Sequence, residues 1–232
     1  MSWPFFWWRD IHPASWQAWK FPDPLKISTF MWGPGLAALA VLILRRLHHP
    51  RTITLFGRSR RWSLCFFILP LITLGVVYAP LVGSRAAIVG LLAVLGFFNI
   101  LGEELGWRGF LQDALRPLPR GWRYLTIGIL WEFWHFTNRT HGADVSETVH
   151  SLMFSYPAVI LLSVFIGEAA DRARSLIVAV TLHFWIDALF EVPRLVDGPA
   201  WPTYLVFGLS LVFWAVLLWN WPSNPARGQV LN

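Results

Sequence analysis

The chain has 232 residues, of which 56% are hydrophobic and only 14% are charged. Soluble domains carry roughly 25% charged residues, so this composition excludes an ordinary soluble domain. The formal net charge of +6 does not indicate nucleic-acid binding, because the basic residues lie in short loops between apolar runs, as in a multispan membrane protein. The single cysteine, Cys65, excludes a disulfide framework and a cysteine-based zinc site.

The first 26 residues predict an interfacial segment rather than a cleaved signal peptide. They lack a basic start and a smooth apolar stretch, and they are rich in Trp, Phe and Pro. Because Trp is favoured at membrane–water interfaces, residues 1–26 are expected to lie at the membrane surface.

Seven apolar runs follow, and each is expected to form a transmembrane helix, since about 20 apolar residues span a bilayer and a helix satisfies its own backbone there. The predicted helices cover residues 27–44, 62–82, 86–102, 124–137, 151–167, 175–190 and 201–221. The predicted fold is therefore an all-α multispan membrane bundle with one domain over 27–221 and a cytoplasmic tail over 222–232. The fourth and sixth runs are the shorter ones, and they carry ionisable side chains.

The distribution of positive charge orients this bundle. Twelve of the nineteen Lys and Arg residues fall on one side of the predicted topology, six fall on the other, and Arg108 lies inside the membrane. Because Lys and Arg concentrate in cytoplasmic loops, the richer side is expected in the cytoplasm. Membrane lipid is thus the first expected partner.

The third apolar run continues into a polar motif, NILGEELGWRGF, over residues 99–110. Ionisable groups at membrane depth are rare and usually functional. Glu104 and Arg108 are four residues apart, the spacing of an ion pair on one helix face. Glu103 lies about 140° from Arg108 around the helix, so it is predicted to be the carboxylate that remains available for chemistry. Asn99, one turn earlier, is expected to offer Glu103 a hydrogen bond.

Two further helices carry histidines at a similar predicted depth. Counted from the basic turns, Glu103 and His135 each lie twelve residues, about 18 Å, into the membrane, and His183 lies nine residues, about 13 Å. Asp187 follows His183 by four residues and projects with it. Glu132, three residues before His135, is expected to support that histidine. These helices are predicted to deliver Glu103, His135 and His183 to one site.

Each feature also has a simpler interpretation when it is taken alone. A Glu-Glu-x-x-x-Arg cluster is often a solvated helix end, a membrane histidine often bonds a neighbouring helix, and the pair on the sixth helix could be structural. Matched depth on three helices favours a common site. A second polar stripe, in an outer loop, is interpreted as a water-facing surface: His141, Asp144, Glu147 and His150.

Three motifs in this order resemble those of the CAAX-processing and bacteriocin-processing (CPBP, or Abi) intramembrane endopeptidases. EELGWRGF (103–110) is similar to their Glu-Glu-x-x-x-Arg motif, WEFWH (131–135) to an aromatic-rich motif that ends in His, and HFWID (183–187) to His-x-x-x-Asn. The resemblance covers about residues 86–190, the expected catalytic core. It implies a peptidase of a bacterial cell membrane whose site opens toward the cytoplasm. Its substrate would be a membrane-associated protein, such as a prenylated C-terminus, a bacteriocin leader or a sorting tail.

The resemblance also implies roles for these residues. Glu103 would be the general base that activates water, with His135 assisting, while His183 and the position of Asp187 complete the site and stabilise the oxyanion. The ion pair between Glu104 and Arg108 would hold the motif helix in place.

Asp187 stands where the family has Asn, and an ionised Asp does not donate a hydrogen bond to an oxyanion. It is therefore either protonated, or it orients His183, or it binds a metal. Two histidines with carboxylates also resemble a catalytic zinc set, so Zn²⁺ is the candidate cofactor of a metal-dependent alternative. Its ligands would be Glu103, His135, His183 and Asp187.

The residues themselves also fit hydrolysis by water, because no Ser or Cys is placed with the cluster. Two other functions remain open from the sequence. A proton-coupled transporter could use the same Glu, His and Asp residues as a relay. A non-cleaving family member could act as a chaperone or an immunity factor.

Overall fold

The structure is a computed structural model that describes residues 31–44, 52–68, 71–72, 86–139, 144–195 and 201–221. These residues are mainly helical and contain no strand; one isolated bridge joins Thr54 to Ser175. The all-α prediction is confirmed for this part of the chain. The predicted interfacial segment 1–26, the tail 222–232 and His141 lie outside the described residues.

The long helices are α1 (Gly33–Leu44), α2 (Ala86–Gly106), α3 (Arg120–Arg139), α4 (Val145–Ala173), α5 (Leu176–Leu195) and α6 (Trp201–Trp219). Residues 60–68 form a further helical stretch. After α2 the chain stays helical, first as the π-helical segment Trp107–Leu111 and then as the short α-helical turn Gln112–Ala114. The helix predicted over 86–102 therefore continues through the motif.

The predicted start of α4 is wrong by six residues, because the polar segment before it is helical. Asp144 and Glu147 form a capping box: the Glu147 backbone N–H donates to Asp144 Oδ1 at 2.8 Å, and the Asp144 N–H donates to Glu147 Oε2 at 3.1 Å. Glu147 and His150 therefore lie in the first turns of α4 and not in a loop. Both side chains are exposed, as the predicted water-facing surface requires.

Among the described residues one helix, α4, is long and apolar enough to cross a membrane by length and composition. It contains the predicted span 151–167. The apolar stretches Gly33–Leu44, Leu176–Ala188 and Tyr204–Trp219 are shorter. The other predicted crossings stay predictions.

The chain folds into two compact units. Unit 1 comprises Met1–Thr52 and Leu95–Glu168, and unit 2 comprises Ile53–Val94 and Ala169–Asn232. The helices α2 and α4 contribute residues to both units. The single domain predicted over 27–221 remains a prediction.

In unit 1, glycines bring the start of α1 against the end of α2. A Cβ at Gly35 would lie 2.5 Å from the carbonyl oxygen of Gly102, and a Cβ at Gly106 would lie 2.5 Å from the backbone of Pro34. Gly102 and Gly106 form a Gly-x-x-x-Gly pattern, which lets helix backbones approach closely in membranes. Because the two carboxylates of the motif lie between these glycines, the contact fixes the segment that carries them.

Buried hydrogen bonds join the remaining helices of unit 1. Ser163 of α4 donates to the backbone oxygen of Tyr124 in α3 at 2.9 Å, and the Tyr124 hydroxyl donates to Glu168 at 3.0 Å. Gln112, just after the π-helical segment, donates to the Gly167 oxygen of α4 at 2.9 Å. The motif segment, α3 and α4 are therefore held together by polar contacts.

In unit 2, the position of α5 is set at its start and along its length. Ser175 precedes the helix, and its hydroxyl accepts a hydrogen bond from the Val178 N–H at 3.4 Å, as an N-cap does. Trp214 of α6 stacks on Phe66 with ring centroids 5.1 Å apart and meets Trp185 of α5 edge-on at 5.7 Å. The helix that carries the third motif is thus packed on aromatic neighbours.

We predict that the close approach of α1 and α2 does not tolerate a methyl group. In Gly106→Ala, the added Cβ would meet the backbone of Pro34, which does not yield as a flexible side chain does. The substitution should lower the free energy of unfolding by about 1–3 kcal/mol. Gly90→Ala in the same helix is the matched control, because nothing lies within 4 Å of a Cβ there. Thermal unfolding in detergent compares the two; equal melting temperatures would contradict this packing.

Candidate active site

The motif carboxylates lie at the point where α2 becomes π-helical. Glu103 and Glu104 belong to the last turn of α2, and Arg108 lies in the π-helical segment. All three residues have no exposed surface. π-helical turns occur frequently at functional sites, and here the wider turn carries the cation of the motif.

Glu104 and Arg108 form the ion pair that their spacing predicts. Arg108 Nη1 donates to Glu104 Oε1 at 2.7 Å, and both side chains are fully buried. Removing one partner of a buried pair leaves an uncompensated charge, which costs about 3–5 kcal/mol. The Arg108 guanidinium also lies over the ring of Trp131, 4.6 Å from its centroid. The pair therefore ties the motif helix to α3.

Trp131 of α3 connects the carboxylate of Glu103 with the imidazole of His135. Its indole Nε1–H donates to Glu103 Oε2 at 3.1 Å, and its backbone oxygen lies 3.0 Å from His135 Nδ1. Because a carbonyl oxygen only accepts, the proton of this second bond belongs to Nδ1. A neutral His135 therefore carries its lone pair on Nε2, the atom that can accept a proton.

Aromatic rings surround the imidazole of His135. Its ring meets Trp134 edge-on at 4.6 Å and lies 5.8 Å from Trp131. Trp134 in turn contacts Trp107 of the π-helical segment at 6.3 Å. In such an apolar setting, hydrogen bonds to charged groups are stronger than in water. Unit 1 thus holds a buried carboxylate and an imidazole in a largely aromatic environment.

Trp131 is a candidate site residue that the sequence analysis does not single out. It was recognised only as part of an aromatic-rich motif, although its spacing of four from His135 places both on one helix face. The predicted contribution of Asn99 to Glu103 stays a prediction. Glu132 is almost completely buried, and its expected support of His135 also stays a prediction.

His183 and Asp187 lie together on α5, as their spacing predicts. His183 Nε2 is 3.7 Å from Asp187 Oδ2; the His183 side chain is buried and the Asp187 side chain is half exposed. This separation exceeds a hydrogen bond, so the contact is electrostatic when the histidine is protonated. Both residues belong to unit 2, whereas Glu103 and His135 belong to unit 1. The convergence of the two pairs on one site remains a prediction.

The predicted zinc set of Glu103, His135, His183 and Asp187 stays a prediction, because its members belong to both units. Within the described ranges, no three His, Cys, Asp or Glu residues are grouped so that they could hold a metal ion. A chelator test distinguishes the zinc-dependent alternative from hydrolysis by the side chains alone.

Comparison with known families agrees with the three motifs. Residues 85–189 match a family model described as Type II CAAX prenyl endopeptidase Rce1-like. This range contains every motif residue named above, and it is a domain of that family; the CPBP family recognised from the motifs is thereby confirmed. No curated protein and no solved structure matches the chain.

Proposed function

We propose that the chain is an intramembrane endopeptidase in which Glu103 activates a water molecule to hydrolyse a peptide bond. The observation that carries the proposal is the setting of Glu103. It is a fully buried carboxylate that accepts a hydrogen bond from Trp131, inside a segment that matches the Rce1-like endopeptidases. A buried and oriented carboxylate is the kind of group that serves as a general base.

The distribution of polar and apolar surface supports embedding in a membrane as a multispan bundle. Glu103, Glu104 and Arg108 have no exposed surface, while Met153 and Leu161 of α4 are 66% and 70% exposed. Further exposed apolar side chains lie on α3 and α6, namely Ile129, Leu130, Phe133, Leu205, Leu209 and Val212. Soluble proteins rarely expose large contiguous apolar patches, whereas lipid covers them. The Lys and Arg distribution supports a site that opens toward the cytoplasm.

The proposed reaction follows from the geometry of unit 1. We assign proton abstraction from water to the Glu103 carboxylate, which the Trp131 indole orients through Oε2. The water oxygen forms a bond to the scissile carbonyl carbon, and the resulting oxyanion collapses as the carbon–nitrogen bond breaks. The abstracted proton passes to the leaving amine. His135, with Nδ1 held by the Trp131 carbonyl, offers Nε2 as the second acceptor for the protons of the attacking water.

We assign the stabilisation of the oxyanion to His183, as the family resemblance implies. The 3.7 Å contact between His183 and Asp187 supports an indirect role for the carboxylate. An ionised Asp187 does not donate to an oxyanion, but beside His183 it orients the imidazole that donates. This is the second of the three roles that the sequence left open.

The substrate class that we propose is a membrane-associated protein with a lipidated C-terminus. The matching family model is described as a CAAX prenyl endopeptidase. A prenyl chain anchors its peptide to the bilayer, which brings a scissile bond toward a carboxylate at membrane depth. Leader peptides and sorting tails are the other substrates to assay.

The first test is Glu103→Gln in the purified full chain. The amide keeps the shape of the side chain but does not accept a proton, so cleavage of a farnesylated reporter peptide should fall at least about 100-fold. Glu147→Gln, at an exposed position of α4, is the control and should cleave normally. Undiminished cleavage by Glu103→Gln would refute the proposed base.

Two further measurements distinguish a metal-dependent peptidase and a transporter from the proposed enzyme. Cleavage that a chelator abolishes and Zn²⁺ restores would assign the reaction to a metal. Solute uptake into proteoliposomes driven by a pH gradient, without any cleavage, would identify the transporter.

The second test concerns the hydrogen bond from Trp131. Trp131→Phe retains a ring beneath Arg108 but removes the N–H that orients Glu103. A hydrogen bond to a charged group contributes about 1.5–3 kcal/mol, so kcat should fall at least about tenfold while KM changes little.

Trp107→Phe is the matched control for this change. Its buried Nε1 has no hydrogen-bond partner within the described part of the chain, so loss of that N–H removes no bond. Its kcat should stay within about twofold of the original protein. If both variants lose activity equally, or if Trp131→Phe raises only KM, then the indole N–H does not orient the base.

A further inference from the structure

In unit 2, an irregular segment before the helical stretch 60–68 is fixed in place by backbone hydrogen bonds. The Thr54 N–H donates to the Arg174 oxygen at 2.9 Å, and the Thr54 oxygen accepts from the Leu176 N–H at 2.9 Å. The Arg58 N–H donates to the Ala173 oxygen at 3.1 Å. These bonds hold the segment against the turn between α4 and α5, so the backbone at Arg58 has a defined position.

Four exposed arginines gather around this turn, and we name them the arginine surface: Arg58, Arg60, Arg61 and Arg172. Arg172, which precedes Ala173, donates from Nη2 to the backbone oxygen of Trp219 at 3.1 Å and from Nε to that of Leu218. It thereby satisfies the last carbonyls of α6. Trp219 beside it is 80% exposed, so the surface combines basic groups with an exposed indole.

The arginine surface differs from the basic turn of unit 1 in how its charge is balanced. In unit 1, Arg116 pairs with Asp113 at 2.6 Å, and Arg120 pairs with Glu168 at 3.4 Å. Each of these guanidinium groups has a carboxylate within the same unit. Arg116 and Arg120 therefore need no external counterion.

Arg58 and Arg61 make no side-chain hydrogen bond or ion pair with any residue that the structure describes, and Arg60 lies over the ring of Phe56 at 5.2 Å. Several like charges on a fixed backbone repel one another. An external anion relieves this repulsion. Because backbone hydrogen bonds hold the segment around Arg58, an anion that binds there costs little further backbone entropy.

We propose that the arginine surface binds the headgroups of anionic phospholipids. Guanidinium groups match phosphate oxygens in a two-pronged geometry, and indole rings favour the headgroup zone of a bilayer, where Trp219 would place this end of unit 2. Clustered Lys and Arg beside a membrane segment attract anionic lipids. The proposal depends on the membrane embedding proposed above and not on the peptidase activity.

The test compares two double variants of the full chain in detergent that lose the same formal charge. Arg58→Gln/Arg61→Gln removes two arginines that pair with no described residue, and Arg116→Gln/Arg120→Gln removes two that pair with carboxylates. Each chain is titrated with dioctanoyl phosphatidylglycerol and with dioctanoyl phosphatidylcholine, and bound lipid is counted by native mass spectrometry. Each surface arginine is expected to contribute about fivefold to phosphatidylglycerol affinity. The first variant should therefore lose about 25-fold, and the second less than about twofold.

The two double variants distinguish headgroup binding at the arginine surface from attraction by net charge. Equal losses in both would mean that net charge alone attracts the lipid, and would overturn the proposal, as would unchanged affinity in the first. Unchanged thermal unfolding and unchanged phosphatidylcholine binding show that the fold is intact. If the double variant unfolds early, the single variants provide the same comparison at about fivefold each. If a polyglutamate peptide binds the original chain but not Arg58→Gln/Arg61→Gln, while phosphatidylglycerol binds neither, the surface belongs to an acidic protein segment instead.

Discussion

A carboxylate that is withdrawn from water has to receive its hydrogen bonds from the protein, and this requirement organises unit 1. Leaving a buried ion unpaired costs several kcal/mol, so Glu104 is neutralised by Arg108 at 2.7 Å. Glu103 accepts instead from the indole of Trp131. The same Trp131 ring lies against the Arg108 guanidinium. One side chain of α3 therefore stabilises the ion pair and orients the carboxylate to which we assign the chemistry.

The packing of unit 1 keeps these donors in position. Glycine at positions 102 and 106 lets α1 approach the motif helix to backbone contact. Beyond the π-helical segment, Gln112 binds the backbone of α4 at Gly167. The motif is thus held before and after its charged residues, which favours a fixed geometry for the proposed base over a mobile one. Preorganised groups of this kind lower a reaction barrier because little reorganisation remains at the moment of reaction.

Helical periodicity accounts for what the sequence could predict. A spacing of four residues places Glu104 with Arg108, and His183 with Asp187, and both pairs are present in the structure. The continuation of α2 into the motif agrees with the four-residue spacing of Glu104 and Arg108, which pairs them on one helix face. Each of these features lies within one helix, and residue spacing predicts which side chains share a face of the same helix.

The features that the sequence analysis does not predict depend mainly on contacts between helices. Which of several tryptophans in α3 donates to Glu103 depends on how α3 lies against α2, and no local pattern contains that information. The π-helical turn at Arg108 likewise departs from the regular hydrogen-bond register for which local propensity provides no signal. The early start of α4 has a local sequence signal, because Asp144 and Glu147 have the spacing of a capping box. The polarity of the segment nevertheless favours a loop.

In the proposed mechanism the nucleophile is water, and Glu103 does not itself attack the peptide bond. A single turnover in ¹⁸O-labelled water, followed by mass spectrometry of the product and of the tryptic fragment 86–108, measures this directly. If Glu103 acts as a general base, the label appears in the new carboxyl group of the product and not in the fragment. Label in Glu103 would show that the carboxylate attacks the peptide carbonyl and forms a covalent intermediate, which would contradict the account.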